Sequence, residues 1–406
     1  DWPGIQHSIG ADVINGLLDF TVVATAVAPA GDSYVQVVGD FDLPNVTATS
    51  RGPVAIMPRK RILVLHTNKS TGIIRAMDGV NIFVPNAGGA GETIGGIVQN
   101  GSQVIDFGTF TAPGPGVPSP SSLELNVTGD LESLGSGTIV LQRQNQITLG
   151  GVKMYDGLVQ FDDLPGMTAN DKKTIINGDT EFLGGKWNFA YDPTGSSNHR
   201  ELHLKGQNNK FSTENSRTDF SYAKTYAKPV WLVISGAEQQ TLVGNSMETI
   251  WYGIINVNNT AGQNPSVTFQ QGVFRVLPNN GHQSFFTSTV HIDDCTIAIG
   301  GRTAPFDGNG NFINRAGYTT ANGGRVQMNG NGGQNINTGE PGDPAPMFGS
   351  LEIDNPSGVT INNSKTVTIT NFLYLTEGLL KLGTGASVKF KNSSPAPTIV
   401  RVDGQF

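Results

Sequence analysis

The sequence predicts an all-β protein in which a parallel β-helix, or β-solenoid, fills the C-terminal two thirds and follows a less regular β-rich N-terminal region. Three observations support this prediction: an excess of glycine, a close succession of short strand-like segments, and an internal repeat. Short strands need tight turns, and glycine supplies the positive φ angles of such turns without steric cost.

The composition narrows the classes of fold and function. Glycine contributes 53 of the 406 residues, whereas charged residues make up only 15%. Glycine and β-branched residues are poor helix formers. The net charge of −7 argues against a nucleic-acid-binding surface, which would be basic. The single cysteine, Cys295, excludes an intrachain disulfide framework, and its place in an alternating segment predicts a buried strand residue.

Apolar residues occur as i, i+2 pairs near the C-terminus, and Asn, Ser, Gly and Thr separate one pair from the next. Residues two apart in a strand share a face, so each pair predicts one inward-facing segment. The pairs recur every six to eight residues, which is closer than the roughly 8–12 residues usual in a β-sandwich, the competing architecture. The pairs are Leu351 and Ile353, Val359 and Ile361, Val367 and Ile369, Leu373 and Leu375, Leu380 and Leu382, and Val388 and Phe390.

A longer repeat of about 95 residues supports the same fold, because single coils cannot bury their apolar faces and must stack. Segment 234–262 matches segment 328–358 at small, amide and apolar positions. The matches include Gly236 with Gly330, Gln240 with Gln334, Leu242 with Ile336, Val257 with Ile353 and Asn259 with Asn355. Turn asparagines are expected to pair their amides between coils, namely Asn258, Asn259, Asn355, Asn362 and Asn363.

The predicted organisation has three parts. Residues 1–110 form a β-rich domain or solenoid cap, 111–122 form a proline-rich linker, and 123–406 form the solenoid. The linker sequence TAPGPGVPSPSS favours an extended connection. No apolar run reaches the roughly 18 residues that a membrane span needs. The chain begins with Asp1 rather than Met and ends at Phe406 without a polar cap, so export and a continuation beyond 406 are expected.

The repeat stretches resemble those of very large surface proteins of Bacteroidota that the type IX secretion system exports, the gliding-motility adhesins among them. The resemblance rests on the pattern GxxxQx(I/L), found twice, on the run LYLTEGLLKLG, and on the closing segment PTIVRVDGQF. It spans residues 230–406 well, 121–230 loosely and 1–120 hardly at all. The resemblance implies an extracellular, surface-attached, non-catalytic adhesin or stalk. Its partners would be surface glycans or other cell-surface and secretion-system proteins.

An enzyme is the alternative hypothesis, because parallel β-helices also carry polysaccharide lyases and hydrolases. Such a site needs clustered carboxylates, or a base beside a cation, on one solvent face. The segment HIDDC predicts His291 and Asp293 on one face of a strand and Asp294 on the other. Arg302 is the cation that would complete this candidate catalytic set.

Calcium is the metal that the sequence favours, and no other cofactor is expected. In the loop DGNGNF, Asp307, Asn309 and Asn311 place three side-chain oxygens at alternate positions, as calcium loops do. The loop departs from the EF-hand pattern at the glycine and bidentate glutamate positions, so weak binding is expected. His199 and His203 have the i, i+4 spacing that suits a metal only on a helix, which their segment does not resemble.

The sequence is therefore compatible with three functions: a non-catalytic adhesin or structural stalk, a polysaccharide-degrading enzyme, and a subunit of an extracellular fibre. The first is favoured because it explains the repeat and the scarcity of charged clusters. We expect an extracellular, cell-surface location without nucleic acid and without direct membrane insertion. Trp187, Trp231, Trp251 and Tyr252 are candidates for stacking on sugars, although Trp231 and Trp251 occupy repeat positions typical of packing.

Overall fold

The structure, a computed structural model, is all-β, and the predicted fold class is confirmed. Of the described residues 67% lie in strands and none in a helix, and a long parallel sheet of about 19 strands has the arrangement of a β-solenoid. Before residue 93 only the backbone is described. The described residues are 5–6, 17–23, 33–38, 45–51, 61–66, 69–76, 80–83, 92–102, 104–107, 124–141, 146–161, 172–188, 200–211, 218–219, 230–245, 248–251, 253–277, 283–303, 306–308, 311–314, 318–337, 347–362, 364, 366–391 and 396–405.

The chain divides into two compact units. The first unit comprises residues 1–178 and 182–198, and the second comprises residues 179–181 and 199–406. The predicted linker at 111–122 lies outside the described residues.

The strands up to residue 188 are β1 Ile5–Gln6, β2 Leu17–Val23, β3 Ser33–Val38, β4 Asn45–Arg51, β5 Arg61–His66, β6 Lys69–Ala76, β7 Val80–Phe83, β8 Glu92–Gln99, β9 Val104–Phe107, β10 Glu124–Ser133, β11 Thr138–Leu141, β12 Gln146–Met154, β13 Leu158–Gln160, β14 Lys172–Ile176, β15 Thr180–Phe182 and β16 Lys186–Asn188. In the first unit, one parallel series runs β1-β3-β5-β7-β9-β11-β13-β16. A second parallel series runs β2-β4-β6-β8-β10-β12-β14. Because consecutive strands from β1 to β14 alternate between the two series, the chain returns to the same series one coil later.

Stacked glycines bend the long strands of the first unit. A Cβ atom on Gly129 would lie 2.3 Å from the carbonyl oxygen of Gly95, and one on Gly150 would lie 2.5 Å from that of Gly129. A Cβ on Gly178 would again lie 2.3 Å from the oxygen of Gly150. The register between β10 and β12 shifts at the same place. Coils therefore approach so closely at this corner that no side chain fits, which accounts for part of the glycine excess.

The strands of the second unit are β17 Arg200–Leu204, β18 Asn208–Phe211, β19 Thr218–Asp219, β20 Val230–Ile234, β21 Gln240–Val243, β22 Glu248–Trp251, β23 Gly253–Val257, β24 Val267–Val276, β25 Gln283–Phe286, β26 Val290–Ile299, β27 Gly301–Thr303, β28 Phe306–Gly308, β29 Asn311–Asn314, β30 Tyr318–Ala321, β31 Arg325–Met328, β32 Gln334–Asn337, β33 Met347–Phe348, β34 Leu351–Asp354, β35 Val359–Ile361, β36 Thr366–Ile369, β37 Phe372–Glu377, β38 Leu380–Leu382, β39 Ser387–Phe390 and β40 Thr398–Arg401. All pair in parallel except the antiparallel hairpin β27–β28.

These strands stack into three faces, and each coil contributes one strand or half-strand to each face. The first face contains β17, β20, β23, β25, β29, β32, β35 and β38. The second face contains β18, β21, the N-terminal halves of β24 and β26, β30, and then β33, β36 and β39. The third face contains β19, β22, the C-terminal halves of β24 and β26, β31, β34, β37 and β40.

The apolar pairs fill the interior of the second unit, as their spacing of six to eight residues predicts. The pairs from Leu351 to Leu375 are at most 1% exposed. In the last coil the inward positions are more open, with Leu382 at 46%, Phe390 at 37% and Ile399 at 45% exposure. Burying an apolar side chain contributes about 1.5–3 kcal/mol, so the stacked columns supply the main stabilisation.

A buried amide corner lies where β20 turns into β21. The Oε1 atom of Gln240 accepts hydrogen bonds from the backbone N–H of Gly236 at 2.9 Å and from Nδ2 of Asn259 at 2.7 Å. Its Nε2 atom donates to the carbonyl of Leu204, in the preceding coil, at 3.0 Å. Gln240 is fully buried and Asn259 is 5% exposed. One glutamine therefore joins successive coils through bonds that water cannot reach.

The same corner recurs where β31 turns into β32. Oε1 of Gln334 accepts from the N–H of Gly330 at 2.7 Å and from Nδ2 of Asn355 at 2.8 Å, and its Nε2 donates to the carbonyl of Ile299 at 2.9 Å. The residues matched in the two sequence segments thus make matching hydrogen bonds. Gln240 begins a second-face strand and Gln334 a first-face strand, so what repeats is the corner rather than a whole number of coils.

Replacing Gly324 with alanine is expected to lower the free energy of unfolding by about 1–3 kcal/mol. A Cβ atom there would lie 2.1 Å from the carbonyl oxygen of Ile292 in the preceding coil, so the backbone must shift. Gly333, nine residues further along, is the matched control, because a Cβ there meets no atom within 4 Å. Urea unfolding followed by circular dichroism checks the difference. Equal midpoints for the two alanine variants would contradict the close coil stacking.

Candidate functional site

The candidate catalytic histidine lies on the outer side of the second face. His291 pairs with Thr268 in the coil before and with Thr319 in the coil after, and Thr268 pairs with Thr241. Nδ1 of His291 lies 2.7 Å from Oγ1 of Thr319. Because parallel strands repeat at about 4.8 Å, these four side chains form a line of hydrogen-bonding groups across successive coils. We call Thr241, Thr268, His291 and Thr319 the hydroxyl stripe.

Asp293 continues this surface, whereas Asp294 occupies a corner. Asp293 is half-buried, and its Oδ1 accepts a hydrogen bond from Nδ2 of Asn322 at 2.7 Å. Asp294 is exposed and has φ +48°, between Gln271 with φ +69° and Asn322 with φ +49° in the neighbouring coils. Asp and Asn tolerate this left-handed conformation because their short polar side chains can hydrogen-bond locally. The predicted separation of Asp293 from Asp294 thus coincides with the turn between the second and third faces.

The remaining candidate residues lie in and beside the hairpin β27–β28. Arg302 pairs with Asp307 in the backbone register of this hairpin, but their side chains, like Asn309 as a whole, are outside the described residues. Asn311 begins β29, and its Oδ1 accepts a hydrogen bond from the backbone N–H of Asn335 at 2.9 Å. That oxygen therefore already joins two coils, and a calcium ion would compete with the bond. Calcium binding at Asp307, Asn309 and Asn311 stays a prediction.

The tryptophans divide between core and surface. Trp187 is 1% exposed and lies edge-on to Phe161 and Phe182, with ring centroids 5.8 and 5.3 Å away. Trp251 is 4% exposed. Neither ring is open to a sugar. Among the three candidate tryptophans, which all lie in the described residues, only Trp231 is half-buried and reaches the surface. Tyr252 lies outside the described residues.

A charged cluster on the third face is missing from the sequence-based candidates. Glu352, 5% exposed, has Oε2 at 2.7 Å from Nε of Arg325, and its Oε1 accepts a hydrogen bond from Oγ1 of Thr376 at 2.7 Å. The guanidinium of Arg325 also lies 5.2 Å from the ring centroid of Tyr374. Both carboxylate oxygens are engaged, so Glu352 is arranged as a partnered buried charge rather than as a general base. Its alternation with the apolar pair Leu351 and Ile353 is the signal that places it outward.

A second missed constellation lies on the first face. His203 has Nδ1 at 3.1 Å from Oγ of Ser235 and Nε2 at 2.7 Å from Oε2 of Glu201. The side chains of His203 and Glu201 are 16% and 17% exposed. Ser235 is 32 residues from His203 in sequence, and only the strand register brings them together. We call these three residues the serine array.

The only cysteine is part of the core, as its alternating segment predicts. Cys295 is 5% exposed, and burial raises the pKa of its thiol well above the ordinary value. The thiol therefore stays protonated at neutral pH and is a poor nucleophile. In the first unit, the hydrogen bond with Asp130 raises the pKa of Lys153 to about 12. That lysine is an exposed ion-pair partner rather than a proton donor.

The interior of the second unit holds a small cavity near its first coils. It is lined mainly by apolar side chains, Leu202, Phe211, Leu232, Trp251 and Phe274 among them. A buried apolar space offers no hydrogen-bonding partner for a polar substrate. The outer faces are therefore where recognition is expected.

Metal and membrane features are scarce in the described part of the chain. Among those residues, no group of three or more His, Cys, Asp or Glu side chains is placed to hold a metal ion. Within the same ranges no helix is long and apolar enough to cross a membrane. No protein-family model, no curated protein and no solved structure matches the chain.

Proposed function

We propose that this chain is an extracellular surface protein, an adhesin or structural stalk, whose solenoid binds glycans rather than cleaving them. The observation that carries the proposal is the hydroxyl stripe. It presents three threonine hydroxyls and one imidazole in register on a single face of the second unit. The resemblance of the repeats to exported Bacteroidota surface proteins supports the extracellular setting.

The chemistry of the stripe suits sugar hydroxyls. Threonine hydroxyls both donate and accept hydrogen bonds, and so does the neighbouring amide of Gln270. The carboxylate of Asp293 adds further acceptors. Gln270 pairs with Asp293 in register, directly beside the stripe. Side chains held by a sheet lose little conformational freedom when a ligand binds, so less of the binding energy is spent on ordering them. A flat, preorganised polar surface of this kind favours a chain-like polysaccharide.

The enzyme hypothesis has less support from the geometry. The hydrogen bonds of His291 and Asp293 run to Thr319 and Asn322, which are neutral groups of the next coil. Polysaccharide cleavage needs two carboxylates, or a base and a cation, converging on one bond. Asp294 lies at the turn between the second and third faces, and the side chain of Arg302 is outside the described residues. The polysaccharide-degrading enzyme and the fibre subunit are therefore the functions that compete with the proposed adhesin or stalk.

Replacing Thr268 with valine and His291 with alanine together is expected to weaken polysaccharide binding at least about tenfold, because each buried or half-buried hydrogen bond contributes about 0.5–1.5 kcal/mol. Binding is measured by affinity electrophoresis against a panel of acidic and neutral bacterial polysaccharides. Thr360, half-buried and outward on the first face, supplies the matched control Thr360→Val, which should bind as the unchanged protein does. Equal binding by both variants, or no binding to any polysaccharide, would overturn the proposal.

A further inference from the structure

The serine array is assembled by two neighbouring first-face strands. Glu201 and His203 alternate on β17, so both side chains point outward while Leu202 and Leu204 face the core. His203 pairs with Val233 of β20. Ser235 follows two residues later and lies diagonally opposite His203 on the same outer side. Diagonal neighbours on a sheet are within reach of long side chains.

The contacts of His203 with Glu201 and Ser235 indicate which atoms donate and which accept hydrogen bonds in the serine array. A carboxylate only accepts hydrogen bonds, so the 2.7 Å contact with Glu201 assigns the ring proton of His203 to Nε2. In the neutral imidazole, Nδ1 then carries the lone pair, and the hydroxyl of Ser235 donates to it across 3.1 Å. A serine hydroxyl bonded to a neutral imidazole, which a carboxylate orients in turn, is the arrangement that activates a serine nucleophile.

The serine array is partly accessible from the outer side of the first face. Its histidine and glutamate are partly exposed, and Ser235 is half-buried. Trp231 pairs with Glu201 in register, so an indole and the side chain of Val233 border the array on the same face. Val233 is only 4% exposed, so the half-buried indole of Trp231 is the apolar surface against which a small acyl group can pack.

The backbone continues past Ser235 into a short turn. The N–H of Gly236 is engaged by Gln240, and the N–H of Ser235 donates to the carbonyl of Leu204. Ala237 and Glu238 follow in an exposed bend, and within the described part of the chain their backbone N–H groups donate to no acceptor. Backbone donors of this kind stabilise the oxyanion of acyl transfer.

We propose that Ser235, His203 and Glu201 cleave carboxylic esters that carry a small acyl group. Oγ of Ser235 attacks the ester carbonyl, and Nδ1 of His203 takes the hydroxyl proton and passes it to the departing alcohol. Water then attacks the acyl-serine, His203 takes a proton from that water and returns it to Oγ, and the carboxylic acid is released. This activity goes beyond the proposed glycan binding and lies on a different face. The proposed function excludes only the cleavage of glycosidic bonds, so ester cleavage on another face is compatible with it.

The first test is labelling with a biotinylated fluorophosphonate, which phosphonylates activated serines with loss of fluoride. Peptide mass spectrometry should find the adduct on Ser235 and not on the exposed Ser364, the matched control on the same unit. The His203→Ala variant should lose at least about 90% of the labelling, and Glu201→Gln should slow it about tenfold or more. Absence of the Ser235 adduct, or equal labelling of Ser364, would overturn the proposal.

The second test is hydrolysis of p-nitrophenyl acetate by the full chain. Ser235→Ala should lower the rate at least about tenfold, since it removes the nucleophile. Ser364→Ala should leave the rate unchanged. A Ser235→Ala variant that keeps its circular dichroism spectrum and its full rate would refute the activity. Polysaccharide binding by the same variant reports on the hydroxyl stripe separately, so failure of the esterase leaves the glycan-binding result independent.

Discussion

Replacing Asn355 with alanine is expected to lower the free energy of unfolding of the second unit by about 2–4 kcal/mol. Asn355 is fully buried. Its Nδ2 donates to the carbonyl of Gly332 and to Oε1 of Gln334, both at 2.8 Å, and its Oδ1 accepts from the N–H of Ser357 at 2.9 Å. Alanine removes all three bonds, and the buried Oε1 of Gln334 loses the hydrogen bond from Asn355. A buried polar atom that loses a partner costs more than the net contribution of the bond itself.

The exposed Asn362 provides the control for this prediction. Its Nδ2 also donates to an amide of the preceding coil, that of Asn337. Water can replace this bond, so Asn362→Ala should change the free energy of unfolding by no more than about 0.5 kcal/mol. Urea unfolding measured by circular dichroism compares the two variants. Equal losses would show that the amide corner contributes no more than a surface turn.

Replacing Phe312 with alanine is expected to cost about 3–5 kcal/mol. Phe312 is fully buried, and its ring lies edge-on to Phe286 with centroids 5.0 Å apart. Phe348, also fully buried, lies 6.1 Å away on the other side. Removing the middle ring opens a cavity between coils, because neighbouring coils are held by their own backbone ladders and cannot collapse into it.

Phe285 is the matched control, because it precedes Phe286 on the same strand and points outward, half-buried. Phe285→Ala should therefore cost clearly less than Phe312→Ala. The conservative variant Phe312→Leu should recover more than half of the loss, since most of the volume returns. Thermal and urea unfolding of the three variants test the order. A larger loss from Phe285→Ala would contradict the inward placement of Phe312.

The fold was predictable because its signals are local. Val359 and Ile361 are two residues apart, and their shared face follows from strand geometry alone. The amide corners were visible as a repeat because Gln240 and Asn259 recur as Gln334 and Asn355. Their placement on particular faces was not predictable. The corners fall on different faces because the segment between them does not make a whole number of coils, and sequence alone does not give the number of residues in each coil.

The serine array shows why sites are harder to predict than strands. Its histidine and glutamate are two residues apart in sequence, but Ser235 joins them only through the register of β17 against β20. The contact of Arg325 with Glu352 likewise spans adjacent coils. Conversely, His291 and Asp293 do share a face, as alternation predicts. Their hydrogen-bonding partners, Thr319 and Asn322, belong to the next coil. Only the strand register shows that these partners are neutral side chains.

The most direct test of binding without glycosidic cleavage is to incubate the protein with each polysaccharide that it binds and to measure new reducing ends and unsaturated products. We expect retention of the polysaccharide with no products above the protein-free control. Products that appear with the unchanged protein and vanish when Asp293 and Asp294 are both replaced by asparagine would contradict the account. They would assign the outer surface of the second face to catalysis instead.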